Sequence, residues 1–325
     1  MARLRRAGPD AGLRGDRLGR RPRPRRRPRP AEPHRRAAPA VTVPAGPGEG
    51  RPVTAGLPVA VRPLLVASDL DGTLLPPDLT VDPDLVAAIG ELRAAGVTFV
   101  VCTGRMVKSG AAAAETLGAG GGLIVSYSGG VVADLASGEW LVHLPLESAA
   151  AVDVVRHARR LGGHLNVFVD DQLYVEQDDR WTEWTTSYLG IDVRLVDDLL
   201  ALVEGRAPTK IVLAADPADI VRLLPDLRAR WDGTLNVSRS QPHFIEINDR
   251  RASKSGALEW LRARLEGGGP AVACGDGLND LDMLRWADLG VAVAEGDEEV
   301  RAVADLVVPR AGLPGLFRRL AALPA

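Results

Sequence analysis

From residue 64 onward, short apolar runs alternate with longer stretches in which apolar positions recur every three or four residues. Continuous apolar runs suit strands buried on both faces, and the longer stretches suit helices that cover them. The pattern therefore predicts a parallel α/β sheet. LLVASD (64–69) reads as the first strand. Residues 82–95 read as a helix, with Asp82 as N-cap, Pro83 at its first position and Gly96 as its stop. VTFVVCTGR supplies the next strand and loop, 106–117 a helix and LIVSYSGG a third strand. VVADLASGEWLVHL reads as a hairpin turning at Ser137-Gly138. Over 146–247 the character changes: helical patterns at 147–161 and 217–231 alternate with HLNVFVDDQLYVE, APTKIVLAAD and HFIEIN, some with hairpin-like turns. This is an α+β insertion rather than more parallel sheet. Helix 253–265, strand AVACGD, helix 279–286 and strand GVAVA then resume the first pattern. The expected division is a tail over 1–60, a core over 61–145 and 248–325, and an inserted domain over 146–247.

Composition alters this picture mainly at the N-terminus. Residues 1–60 hold eleven Pro, eight Gly and fifteen Arg against four acidic residues, with no Phe, Trp, Tyr or Lys. Such a segment cannot bury enough apolar surface to offset the entropy of ordering, so disorder is expected there. No apolar stretch follows the arginines as a secretory signal requires, and the proline density opposes an amphipathic transit helix. A tether to nucleic acid or an anionic surface remains open, as does translation starting near 53–61 with upstream sequence wrongly included. The tail's net +11 against −2 for the whole leaves −13 for residues 61–325. An acidic folded part argues against nucleic acid as a partner. It does not argue against phosphate esters, since a bound metal can supply positive charge locally. No run approaches the length needed to span a bilayer, so no membrane role is expected. Cys102 and Cys274 end apolar runs and read as buried core residues of a reducing, cytoplasmic compartment.

Four places carry candidate chemistry. In VASDLDGTLL, Asp69 and Asp71 lie two apart at a strand end, with Gly72 permitting a sharp turn. Carboxylates so close repel unless a cation separates them or one is protonated, which suits metal and phosphoryl chemistry; an acidic Asx turn is the plainer alternative. Thr103-Gly104-Arg105 offers a hydroxyl, free N–H groups and a guanidinium fork at a strand-to-helix turn, all suited to phosphoryl oxygens. A Thr N-cap beside a solvated Arg explains the same tripeptide. Lys occurs three times, at 108, 210 and 254, against thirty-seven Arg, which suggests that a compact ammonium matters at the sites that keep it. Lys254 opens a helix, where the macrodipole disfavours a cation, so a functional reason is expected; Lys108 reads as a surface residue. In GDGLNDLDML, Asp276, Asn279 and Asp280 converge on one loop with donors suited to a hard cation. None of the five His lies in such a place.

These segments resemble, in order and spacing, the four motifs of the haloacid dehalogenase (HAD) superfamily: DxDGT, the Thr of motif II, a KGxAL-like Lys and GDxxND. The resemblance covers about 64–320. The insertion falls between motifs II and III, as in the Cof-type branch with a C2 cap. It implies a Rossmann-like parallel sheet as the core and an α+β cap. It also implies roles: Asp69 as nucleophile, Asp71 as acid and base, and Lys254 as the neutralising cation. Thr103, Gly104, Arg105 and Asn279 would bind the phosphoryl group, and Lys210 would meet substrate from the cap. Mg²⁺ would be held by the Asp69 carboxylate, the Asp71 carbonyl and Asp276, with Asp280 in support. The family's strand order places the Asp69 strand between those of the two cysteines, too far apart for a disulfide. Three places depart from the family pattern. Tyr127-Ser128-Gly129-Gly130 replaces Asn-Gly, Glu295-Gly296-Asp297 replaces Gly-Asn-Ala, and Arg251-Ala252 precedes Lys254.

The implied activity is Mg²⁺-dependent hydrolysis of small soluble phosphate monoesters through an aspartyl phosphate. A phosphomutase on the same scaffold and a non-catalytic phosphometabolite-binding protein are the alternatives. The substrate and the oligomeric state have no signature in the chain.

Overall fold

The computed structural model describes residues 41–42 and 57–325. The disorder expected over 1–60 thus falls almost wholly outside the described residues. The exception away from the body is Val41–Thr42, which lies parallel beside Leu306–Val307 at a sheet edge.

Two sheets organise the rest. In the larger, the strands run in the order Val41–Thr42, Leu306–Val308, Leu289–Val293, Ala271–Gly275, Leu65–Ser68, Thr98–Cys102, Leu123–Ser126, Val131–Asp134 and Glu139–His143. Pairing is parallel as far as Leu123–Ser126; the predicted hairpin adds the last two strands antiparallel. Leu65–Ser68 is central and wholly buried, which is why it reads as an unbroken apolar run. It separates Cys102 from Cys274, both buried and free. The fold class is α/β, as the alternating pattern indicates. Pro83–Ala94 is capped by Asp82, whose side chain accepts from Asp84 N at 2.9 Å. Its Leu85, Ala88, Ile89 and Leu92 are buried at helical spacing, and it packs on Leu313–Ala321.

The second sheet orders Leu235–Gln241, Phe244–Asp249, Lys210–Ala214, His164–Val169, Gln172–Val175 and Val193–Leu195, antiparallel except for the last pair. Its period-two alternation divides the side chains. Leu165, Val167, Ile211, Leu213, Ile245 and Ile247 pack under the helices Ser148–Leu161 and Pro217–Arg230. Asn166, Phe168, Lys210, Val212, Phe244 and Glu246 line a cleft facing the first sheet. The expected end of the insertion at 247 falls inside the strand Phe244–Asp249, so the chain returns to the first sheet slightly later. Two helices there, Arg180–Leu189 and Leu199–Gly205, were absent from the sequence reading. Among the described residues no helix is long and apolar enough to cross a membrane.

Candidate active site

The C-terminal ends of the central parallel strands face the second sheet across a cleft of about 930 Å³. Asp69 leaves Leu65–Ser68 at its floor, and its backbone N–H donates to the Cys274 carbonyl at 2.9 Å. Gly72 turns the chain with φ +91°; a Cβ there would come within 2.2 Å of Asp276 Oδ2. Only glycine allows the DxDGT turn and the Asp276 loop to approach so closely. Thr73, to which the sequence reading gave no role, donates Oγ1–H to Asp276 Oδ1 at 2.6 Å.

Lys254 is the first residue of the helix Lys254–Arg262, whose Ser253 N-cap accepts from Gly256 N at 3.0 Å. Its ammonium is 1% exposed and donates to Asp69 Oδ1 at 2.5 Å and Asp280 Oδ1 at 2.6 Å. Burial opposes its charge, but Asp280 and Asp69 hold its pKa well above the ordinary value. Asp280 Oδ2 in turn accepts from the N–H groups of Asp276 and Gly277 at 3.1 and 3.0 Å, which fixes the GDxxND loop. Asp282 accepts from Ser255 N and Oγ and so caps the Lys254 helix.

Asp69, Asp276 and Asp280 each offer an oxygen within 4.8 Å of the others. Burial pushes the Asp69 pKa well up, and Asp280, Asp276 and Asp71 add repulsion that Lys254 only partly offsets. Burial and Asp280 likewise raise Asp276 to about 6. Three hard oxygen donors short of positive charge fit a divalent cation. The Asp71 carboxylate lies outside this cluster. Arg105 Nε and Nη2 hold its two oxygens at 2.8 and 2.5 Å. Arg105, read from the sequence as a phosphate ligand, is thus already engaged by a carboxylate. Thr103 is buried with its Oγ1 accepting from Arg105 N at 3.1 Å, and Gly104 and Asn279 line the cleft.

Lys210 borders the cleft, and its ammonium is paired. It donates to Glu246 Oε1 at 3.0 Å and to the Gly104 carbonyl at 2.6 Å. Glu246 also accepts from Ser240 and from Ser128 at 2.8 and 2.9 Å. Burial tends to raise its pKa, yet Lys210 and these hydrogen bonds bring it below the ordinary value. The residues that replace Asn-Gly are therefore sheet-to-sheet ties. Ser128 reaches Glu246, and Tyr127 OH donates to Asp171 Oδ1 at 2.7 Å. Tyr127 and Ser128 adopt φ of 53° and 55°, strain tolerated because both side chains are buried in bonds. Glu295-Gly296-Asp297 backs the Asp276 loop: Asp297 N donates to Asp276 O at 2.9 Å, and Gly296 leaves room for that contact. Arg310, also missed, donates to the Gly72 carbonyl and braces the first turn.

Comparison with known proteins agrees with this arrangement. The sequence model of haloacid dehalogenase-like hydrolases matches residues 66–317. Phosphatase YwpJ of Bacillus subtilis is 26% identical over 268 residues, 75% of this chain and 93% of its own. A Haemophilus influenzae protein, provisionally named a phosphatase, is 25% identical over 254 residues, 77% of this chain and 94% of its own. The structure of TM0651 from Thermotoga maritima is similar with a TM-score of 0.68 at 25% identity, covering 79% of this chain and 97% of that one. With its motif residues gathered at one sheet edge and this match over most of its length, the chain belongs to the haloacid dehalogenase-like hydrolases, of Cof type.

Proposed function

We propose that the protein is a Mg²⁺-dependent phosphatase of small soluble phosphate monoesters, with 61–145 and about 248–325 as catalytic core and the intervening segment as its cap. The observation that carries this reading is the Asp69 carboxylate at the cleft floor, bonded to Lys254 and clustered with Asp276 and Asp280. Relatives named as phosphatases support it.

Asp69 attacks phosphorus, forming the aspartyl phosphate as the bond to the leaving oxygen breaks. Asp71 gives that oxygen a proton, then takes one from the water that attacks the aspartyl phosphate and releases phosphate. Asp69, Asp276 and the Asp71 carbonyl would hold Mg²⁺, which supplies neutralising charge to nucleophile and phosphoryl oxygens. Lys254, Thr103 and Asn279 fix the phosphoryl group in line. Arg105 grips both Asp71 oxygens, and a phosphoryl dianion offers its fork a competing acceptor. Transfer of the guanidinium to substrate frees the Asp71 carboxyl for proton transfer. The cleft admits small esters because the cap sheet lies across the strand ends.

The test is a Mg²⁺-dependent hydrolysis screen over a panel of phosphometabolites with Asp69→Asn as blank. Turnover that requires Mg²⁺ and vanishes in the blank is expected. Equal turnover in the blank, or faster action on folded phosphoproteins than on any metabolite, overturns the proposal.

A further inference from the structure

Most cations around the cleft are already engaged. Arg105 is held by Asp71, Lys254 by Asp69 and Asp280, Lys210 by Glu246, Arg180 by Asp216, and Arg310 by the Gly72 carbonyl. Arg239 is the exception on the cap wall. It is half-buried and lines the cleft, and among the described residues no acceptor lies within hydrogen-bond or ion-pair distance of its guanidinium. Glu183, also at the cleft, is exposed at its rim and does not reach it.

We infer that Arg239 is a specificity-determining residue that binds a second anionic group, a carboxylate or phosphate, on the leaving part of the phosphate ester. This rests on the hydrolytic reading above and names the substrate class that reading leaves open. Its strand geometry supports the assignment. In Leu235–Gln241, Leu235 and Val237 are buried under the cap helices, so strict alternation would send residue 239 the same way. Arg239 still pairs with Ile245, but the register shifts directly after it, before the Gln241–Phe244 pair, and at this irregular strand end Arg239 borders the cleft. A half-buried guanidinium without a partner is unfavourable, and a bidentate anion satisfies it. Phe168, Trp184 and Phe244 make the neighbouring wall apolar, which strengthens such a contact. The strand also lies against the turn Leu278–Asp280, so the two anions of one small molecule can reach Arg239 and the phosphoryl site together.

The experiment measures binding by calorimetry to the Mg²⁺-loaded Asp69→Asn protein, with and without Arg239→Met or Arg239→Lys. One pair of ligands is phosphoglycerate and glycerol phosphate, which differ in a carboxylate. The other is a hexose bisphosphate and its monophosphate, which differ in a phosphate; together they tell which anion is read. The doubly anionic member of at least one pair is expected to bind about tenfold tighter or more. Arg239→Met should collapse that ratio towards one, and Arg239→Lys should retain part of it. The inference is overturned if neither pair shows a preference, if the preference survives Arg239→Met, or if all four ligands weaken equally. If the native chain hydrolyses no ester yet the Arg239-dependent preference is present, the hydrolytic reading fails and the anion subsite stands.

Discussion

Asp69 and Lys254 each meet the other's largest need. A buried carboxylate beside two further carboxylates is costly, and a fully buried ammonium is costly too. Their contact, with Asp280 on the other side of the ammonium, offsets both. Asp69→Asn should therefore abolish turnover while the protein still melts cooperatively, because an amide of the same size cannot attack phosphorus and relieves repulsion. Activity of this variant above that of buffer alone, in a clean preparation, would exclude Asp69 as nucleophile. Asp276 is placed by Thr73 Oγ1 and by the glycine at 72 that lets the loops touch. Asp276→Ala removes one of three clustered donors, so calorimetric Mg²⁺ affinity should fall by about tenfold or more. Superimposable titrations of the variant and the native chain would move the metal site elsewhere.

At the scale of elements, some helix ends are set by neighbours in sequence and others by residues distant in it. Pro83–Ala94 follows local rules, with Asp82 before Pro83 and a glycine after. Val107–Thr116 does not: Met106 at its N-cap has no capping side chain, and Asp171 from the cap sheet accepts from Val107 N and Lys108 N at 2.9 and 2.8 Å. The same carboxylate takes the buried Tyr127 hydroxyl. Asp171→Ala should thus cost about 1–3 kcal/mol, from a lost cap and an orphaned hydroxyl, read as a lower denaturant midpoint. A change of a few tenths would show that water replaces it. Arg180–Leu189 was missed because its Trp and Thr residues are indifferent helix formers. Its real signals were Asp179 as N-cap, accepting from Trp181 N and Thr182 N, and Gly190 in a left-handed stop.

Across the whole molecule, the two sheets are tied by buried polar pairs as well as by apolar contact. Lys210 and Glu246 are 4% exposed, and Ser128, Gly104, Tyr127 and Asp171 extend the tie. Removing one partner leaves a buried charge, so Glu246→Ala should destabilise by about 3–5 kcal/mol. A double Lys210→Met, Glu246→Leu change should cost less than the single one. The pair also sets a pH dependence. The Glu246 pKa in the folded chain lies below its ordinary 4.5, so its stabilising contribution is complete above that value and is lost as pH falls through the depressed one. Melting temperature should accordingly drop on the acid side in the native chain, and this part of the drop should be absent in the double variant. Identical acid arms would mean that the tie is stable without the charge.

The chain's own pattern determined the parallel core and the inserted α+β region, because each rests on short-range periodicity, while the grouping of residues 69, 254, 276 and 280 was expected only from the resemblance of their motifs to a family. Which cation meets which carboxylate was decided only by the tertiary structure. Lys210 stood out by rarity, yet Glu246, thirty-six residues away, takes its ammonium. Arg105 looked like a phosphate ligand and is held by Asp71. Arg239 was hidden among thirty-seven arginines, and only the placement of the cap sheet over the strand ends puts it at the cleft. Charge pairing and strand register depend on what the fold brings opposite each residue, and a linear pattern does not carry that information.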